Sequence, residues 1–384
     1  MKKIISILLL FVLIFSLSGC RKENNTSSES NASVQSDVSS TGTLAESTTT
    51  STENSGSTPS TNSTPSNSTP NNSTPNTPVS NKPAIFGDSN ILDITEGEYS
   101  YELVYNSNSQ IDVIVTKYNG TSNIANIPSK VKGYPITAIG YEAFCNCVSL
   151  TSVTIPNSVT TIEYRAFAEC SSLTAITIPN SVTTIGCSAF INCYSLTSVK
   201  VPNSVKTIDS SAFGNCESLL ELTISNGVTS IGNMAFDGCK SLTTVTIPNS
   251  VTTIGIGAFN YCTSLTKVTM PNSVKSIGDW AFSNCESLTS ITIPSDVTTI
   301  KDLTFAQCSS LTTVIIPNSI IYIGKEAFAH CSSLTTVTIP NSVTNIHSDA
   351  FRFSYQLKKV YLQSEAQKEK FKNCFNTDAE FIVQ

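Results

Sequence analysis

The chain is poor in the residues that carry chemistry. Only two of its 384 residues are histidine, His330 and His347, and only 13% are charged. No Gly-x-Ser-x-Gly, no glycine loop suited to a phosphate and no isolated pair of carboxylates stands out, so the sequence offers no legible catalytic centre. Structural zinc wants paired cysteine or histidine at short spacing. Only Cys145-Asn146-Cys147 approaches that, so neither a metal site nor a cofactor is expected. Basic runs are missing too, which removes the electrostatic footprint of a nucleic-acid binder. Residues 81–384 carry 18 basic against 23 acidic side chains, a net −5 of the chain's −6. An acidic surface of that kind has no electrostatic reason to lie against anionic lipid.

The chain changes character along its length. Residues 1–20, MKKIISILLLFVLIFSLSGC, run from Lys2 and Lys3 through an apolar stretch to small residues ahead of Cys20. This is the layout of a secretory signal, too short and too abruptly ended for a membrane span. Leu17-Ser18-Gly19-Cys20 resembles the bacterial lipobox, which implies a lipidated Cys20 at the start of the mature protein. Acyl chains contribute roughly 0.8 kcal/mol per buried methylene, so such a group anchors a protein to a membrane without spanning it. Residues 21–83 form a linker: Ser, Thr, Asn and Pro fill 44 of the 60 positions from 21 to 80, a composition unable to bury a core. A disordered tether is expected there.

Beyond it, a period of 23 residues rules the chain. Phenylalanine recurs at Phe144, Phe167, Phe190, Phe213, Phe236, Phe259, Phe282, Phe305, Phe328 and Phe351. Cysteine recurs at Cys147, Cys170, Cys193, Cys216, Cys239, Cys262, Cys285, Cys308 and Cys331, with Ser354 in the last unit. Strict self-similarity without insertion means a solenoid, in which one unit cannot cover its own apolar side and stacked neighbours bury a continuous column. The unit reads Leu-x-x-Val-x-Ile-Pro-Asn-Ser-Val-x-x-Ile-Gly-x-x-Ala-Phe-x-x-Cys. Val153 and Ile155, two apart, share the inner face of a strand. Pro156 ends that strand because it lacks an N–H and fixes its own φ. Val159 and Ile162 return to the interior, and Ala166 to Cys170 close the unit in a short helical or 3-10 turn. On this reading the repeated positions face inward and the variable ones face solvent.

Leu-x-x-Val-x-Ile matches the strand signature of leucine-rich repeats. The 23-residue form, with Pro-Asn-Ser-Val-Thr-x-Ile-Gly and Ala-Phe-x-x-Cys, closely resembles the BspA-like family over about Ile111 to Gln384. The expected fold is therefore a β-rich leucine-rich-repeat solenoid of ten units, with a parallel concave sheet and short helical or 3-10 turns on the other side. Residues 84–126 are assigned to an N-terminal β cap, 127–362 to the solenoid and 363–384 to a C-terminal cap. GEYSYELVYNSNSQIDVIVTKYNG reads as two strands of the first cap. In the second, Ser364 with Gln367 three residues on is a capping-box signal for a short helix ahead of a final strand, AEFIVQ.

Thirteen cysteines in an exported chain invite a disulfide reading. Strands about 4.8 Å apart do not by distance forbid a bond between neighbours, but in-register side chains point the same way, whereas a disulfide needs Cβ atoms ~3.8 Å apart. The nine periodic cysteines are expected to form a column of buried thiols. Cys145, Cys187 and Cys374 occupy variable positions open to exposure. On the outer face of the main sheet, Lys200, Leu220, Glu221, Lys267, Ile315, Lys359 and Tyr361 break a run of Thr and Ser and form the candidate binding surface.

The resemblance implies a cell-surface lipoprotein, lipid-anchored outside the cytoplasmic membrane, that displays its repeats to bind extracellular protein or glycan, as adhesins of that family bind matrix proteins. No enzyme is expected. The alternatives are a structural spacer that binds nothing, or a polysaccharide- or peptide-acting enzyme working through Asp93, Glu96 or Glu98.

Overall fold

The computed structural model describes residues 91–376 and 378–384. The signal, Cys20, the tether through residue 83 and the first residues assigned to the N-terminal cap lie outside them. Each 23-residue unit makes one turn of a parallel β-solenoid. The turn gives a strand of two to four residues to the main sheet and a two-residue strand to a second sheet. Pairing always joins equivalent positions: Ser198 to Glu221, Lys200 to Thr223, Thr246 to Thr269, Thr338 to Tyr361. With no insertion to shift the register, each side chain sits over its counterpart one turn away.

The third side of each turn is neither α-helix nor 3-10 helix. It carries the i→i−3 bonds that the short-turn expectation calls for, such as Ala168 N–H to Arg165 O at 3.0 Å and Leu173 N–H to Cys170 O at 3.0 Å. Two left-handed residues per turn, here Arg165 (φ 52°) and Glu169 (φ 62°), keep those bonds from propagating into a helix. Asn146, Asn192, Asn215 and Asn284 occupy the second left-handed position, where asparagine's short polar side chain is well tolerated. Reversing the backbone in this way turns its N–H groups toward the next turn. Phe167 N–H bonds to Ala189 O at 2.8 Å and Glu169 N–H to Ile191 O at 2.8 Å, and both series repeat along the array.

The ten repeat phenylalanines are fully buried or nearly so, and successive rings stack with centroids 4.8 to 5.7 Å apart. That interval is close to the strand spacing, so the rings follow the backbone without strain. Tyr118 extends the column at one end (5.2 Å from Phe144) and Phe375 at the other (4.8 Å from Phe351). The end of each cap is thus an aromatic ring laid over the last phenylalanine. The N-terminal cap holds one strand more than the sequence suggests: Ile91–Glu96 pairs antiparallel with Tyr99–Tyr105, which pairs with Ile111–Tyr118. Ile111–Tyr118 then runs parallel to Tyr134–Ile139 and feeds the second sheet, while the main sheet starts at Ile124–Asn126. At the other end, helix Glu365–Phe371 takes its N-cap from Ser364, whose hydroxyl accepts the Gln367 N–H at 3.2 Å. The Gln367 side chain accepts the Gln363 N–H at 2.9 Å and donates to the Pro340 carbonyl at 2.9 Å, which ties the cap to the array. Strand Glu380–Val383 adds the last rung beside Lys359–Leu362.

From Cys170 to Cys331 the periodic cysteines are buried, and their thiols also bond between turns. Each of these thiols lies 3.1 to 3.4 Å from the carbonyl oxygen of the phenylalanine one turn back and donates to it. Ser354 donates its hydroxyl to Phe328 O at 2.7 Å in the same place, so what the position requires is a donor. Cys147 departs from expectation. It is only half-buried, because the residue that would supply its acceptor falls in the cap and no repeat phenylalanine precedes Phe144. Cys187, expected to be open to exposure, is buried, whereas Cys145 and Cys374 are half-buried.

Threonine departs in the opposite sense. Thr160, Thr183 and Thr252 recur yet are exposed; each hydroxyl donates to the carbonyl one turn back at 3.2 to 3.3 Å. Ser181 and Ser319 do likewise toward Val159 and Val297 at 2.6 and 2.7 Å. Repetition therefore marks inter-turn bonding as well as burial.

Truncating a ring in mid-column, Phe236→Ala, is expected to cost about 3–5 kcal/mol through the cavity it leaves. Thr246→Ala, on the open face, is expected to stay within about 0.5 kcal/mol. Urea unfolding of both variants measures the difference, and equal costs contradict the inward and outward assignments. Burial pushes the periodic thiols well up, Cys193 and Cys308 to about 12. A thiol held protonated and shielded reacts slowly. The eight from Cys170 to Cys331 should resist a thiol reagent at pH 8 in the folded protein and react once guanidinium unfolds it.

Candidate binding surface

The main sheet presents one open face. Its outward side chains are exposed threonine and serine for most of its length, and the residues that interrupt them do not form one cluster. Lys200, Leu220, Glu221 and Lys267 fall on or immediately before three strands, Ser198–Val201, Glu221–Ile224 and Lys267–Thr269, with Thr244–Thr246 between the last two. Ile315 lies two units further on, and Lys359 and Tyr361 belong to the penultimate strand, where they pair with Glu380 and Ile382 of the C-terminal cap. The structure thus separates the seven into a central group of four, one isolated isoleucine and an end pair. Trp280, Tyr164, Tyr194 and Tyr261 lie off the main sheet, with Tyr194 and Tyr261 exposed.

The central group surrounds an irregularity that the repeat pattern does not announce. At the head of each main strand, an N–H bonds to the carbonyl one turn back: Thr174 to Thr151, Thr197 to Thr174, Leu220 to Thr197. The series stops there and resumes with Thr266 to Thr243. No strand pairing joins Glu221–Ile224 to Thr244–Thr246 among the described residues, so the main sheet is parted between them. A second parting falls between Thr313–Ile315 and Thr336–Thr338, beside exposed Ile315. At the first, a groove of about 460 Å³ opens, lined by Leu222, Thr223, Ile224, Asn226, Thr246, Ile247, Pro248 and Asn249. That volume lies within the range of small ligand sites. Leu222 is half-buried where Val199 and Val245 are buried, so the parting uncovers part of the core. The Thr-to-Leu change at 220 is a sequence signal for this place; the parting itself has none.

Chemistry of an enzymatic kind finds little support. No group of three or more His, Cys, Asp or Glu able to hold a metal ion occurs among the described residues. His330 stacks on Phe353 at 4.7 Å, and His347 accepts the Asp349 N–H at 3.1 Å, so both rings do local structural work. Asp93, Glu96 and Glu98 stand on the exposed antiparallel strands of the N-terminal cap or at their turn, and Glu96 pairs with Lys132 at 3.0 Å. One carboxylate is strongly perturbed. Asp237, on the third side of the array, is raised to about 6 by burial, against the pull of the hydrogen bond it accepts from Asn260 at 2.8 Å. It stands near the buried Cys239 thiol and the Tyr261 phenol, and its side-chain bond from Asn260 fits a structural role.

Raising an acid's pKa in the folded state penalises folding once the unfolded chain ionises. Below its ordinary value of 3.8, Asp237 is protonated in both states and nothing is lost. From there to about 6 the unfolded chain sheds the proton first, so stability falls, and above that the loss is constant. Asp237→Asn keeps an acceptor for Asn260 and should raise the Tm at pH 7 relative to pH 4. Thermal melts at the two pH values check this; an unchanged difference contradicts the buried-acid assignment.

Comparison with known proteins places these features in a group. A search of curated proteins returns no match. Among solved structures, a leucine-rich repeat protein from Bacteroides ovatus is 25% identical, covering 76% of this chain and 100% of its own, with a TM-score of 0.46. A leucine rich cell surface protein from Faecalibacterium prausnitzii is 28% identical over 76% of this chain and 94% of its own, also with a TM-score of 0.46. The pneumococcal vaccine antigen PcpA is 20% identical over 76% and 98%, with a TM-score of 0.45. The BspA type leucine rich repeat region matches in six copies across residues 137–266 and 252–378. The 23-residue register, the phenylalanine column and the parallel solenoid agree with that match, and the chain belongs to the BspA-type leucine-rich repeat family.

Proposed function

We propose that this protein is a cell-surface binding protein that holds its repeat array away from the membrane and adheres to extracellular protein. Residues 1–20 direct export, Cys20 carries the lipid anchor and residues 21–83 are the tether. The residues from 84 onward are the displayed unit, with Lys200, Leu220, Glu221 and Lys267 at the centre of its contact surface. The observation that carries the reading is the open face of the main sheet: a long, largely uncharged Thr and Ser surface, four of whose seven exceptions lie around the first parting. Uniform threonine suits an exposed strand and by itself asks for no ligand. Leu220, 53% exposed between exposed charges, adds to the partly uncovered Leu222 an apolar area that a partner can cover. Membership of a family whose solved relatives include a cell surface protein supports the location. Among the described residues no helix is long and apolar enough to cross a membrane, and a lipid at Cys20 would supply the attachment.

Two measurements test this. Immobilised extracellular-matrix proteins should retain the folded protein at micromolar concentration, and failure of every such protein to do so would contradict the adhesive role. In bacteria fed an alkyne fatty acid, the wild-type chain should be labelled and Cys20→Ala should not; label on both would displace the anchor from Cys20.

A further inference from the structure

The parting of the main sheet coincides with a cluster of departures from the repeat. In the unit that starts at Leu219, Leu222 stands where neighbouring units have valine, Ser225 where they have proline, and Gly227 where they have serine. The serine's hydroxyl normally ties its turn to the one before, as at Ser181 and Ser273. Gly227 forgoes that bond and packs closer: a Cβ there would run into the Asn203 carbonyl oxygen. This turn therefore sits hard against the preceding one and parts from the following one. The Leu220 carbonyl and Thr243 N–H lack their mutual bond, and further along the same two strands the gap opens over Leu222, Ile224 and Ile247.

Charge is arranged around the same gap. Lys200 stands one strand before it and Lys267 one strand after it, both exposed and neither in an ion pair among the described residues. From the Lys200 strand to the Lys267 strand there are three strand spacings, or about 14 Å. An extended peptide rises about 3.3 Å per residue, so roughly four residues cover that distance. Residues i, i+2 and i+4 of such a peptide point to one side. Two carboxylates at i and i+4 would meet the two lysines, and the side chain at i+2 would fall over the gap. Glu221, at the head of the strand bordering the gap, disfavours an acid at that middle position, and the aliphatic floor favours a branched apolar one. The unsatisfied backbone donor and acceptor match the alternating groups of a peptide main chain.

We infer that the gap between Glu221–Ile224 and Thr244–Thr246 is the seat of an extended acidic peptide segment, with one aliphatic side chain inserted between the strands and flanking carboxylates on Lys200 and Lys267. This deepens the binding role proposed above and rests on it. A segment of this kind occurs in any extended, solvent-facing stretch of a partner protein, so the site selects by local sequence.

The probe is fluorescein-labelled Gly-Glu-Ser-Leu-Ser-Glu-Gly, titrated with the full chain and read by fluorescence polarisation. Saturable binding is expected, weaker by about tenfold when the probe's two Glu become Lys or its Leu becomes Ser. Lys200→Glu and Lys267→Glu should each weaken it by about tenfold, and Thr246→Trp, which fills the gap from the exposed face, should abolish it. Circular dichroism melts confirm that each variant is folded. Equal binding of the charge-reversed probe, or unchanged binding by folded Thr246→Trp, overturns the inference. So does a hyaluronan oligosaccharide that binds more tightly than the peptide and is lost in the same variants, which would make the gap an acidic-glycan site. The two readings fail separately. If folded Thr246→Trp still adheres to matrix proteins while the peptide does not bind the wild type, the gap is not the site and adhesion stands. If the peptide binds and no matrix protein does, the gap stands and the adhesive role falls.

Discussion

In-register stacking at one fixed interval is the constraint on which every other feature of this molecule depends. A turn of 23 residues leaves each backbone carbonyl opposite a donor one turn on, and each phenylalanine ring over its counterpart. The two requirements reinforce each other because the ring spacing, 4.8 to 5.7 Å, is close to the distance between adjacent β-strands. A single inserted residue would break both at once. Stability of such an array is a sum of neighbour terms with no long-range core to compensate a bad junction. That explains why three sides of the turn all carry inter-turn bonds: strand pairing on two, and the left-handed turn residues on the third.

The inter-turn donors also explain a composition that would otherwise look arbitrary. Thiols and hydroxyls recur because short side chains with one donor reach a carbonyl one turn away. The replacement of the last cysteine by Ser354, with the same acceptor geometry, shows that the hydrogen bond and not the sulfur is what the fold uses. Burial raises the pKa of these thiols and holds them in the interior, where their role is to bond between turns. A chain with few charges and two histidines can therefore be ordered throughout its repeats by short donors alone.

Within so regular a scaffold, function has to reside in exceptions. The unit at Leu219 to Cys239 differs from its neighbours at Leu220, Leu222, Ser225 and Gly227, and one of the two partings of the main sheet falls beside it. Regularity on both sides keeps the lysines at 200 and 267 at a defined distance across that separation. Surface charge, exposed apolar area and unused backbone groups meet only there among the central repeats.

The sequence by itself determined the repeat length, the inward columns of Phe and Leu, the strand ended by proline and the helix capped by Ser364. Each of these follows from local spacing: period two along a strand, period 23 along the array, and the chemistry of single residues. The exposed residues that break the threonine surface could also be read off directly. Only the tertiary structure decided that Cys147 stands half-buried, that Thr160 and Thr183 recur for their hydroxyls, that Tyr118 and Phe375 finish the ring column, and that Ile91–Glu96 adds a strand to the cap. It alone decided that Lys200 and Lys267 flank a parted sheet while Ile315 and Tyr361 lie elsewhere. The physical reason is that these outcomes depend on the turn above or below. A side chain's partner across 23 residues, and the failure of one backbone bond between two turns, are properties of the stack and have no counterpart in the local pattern.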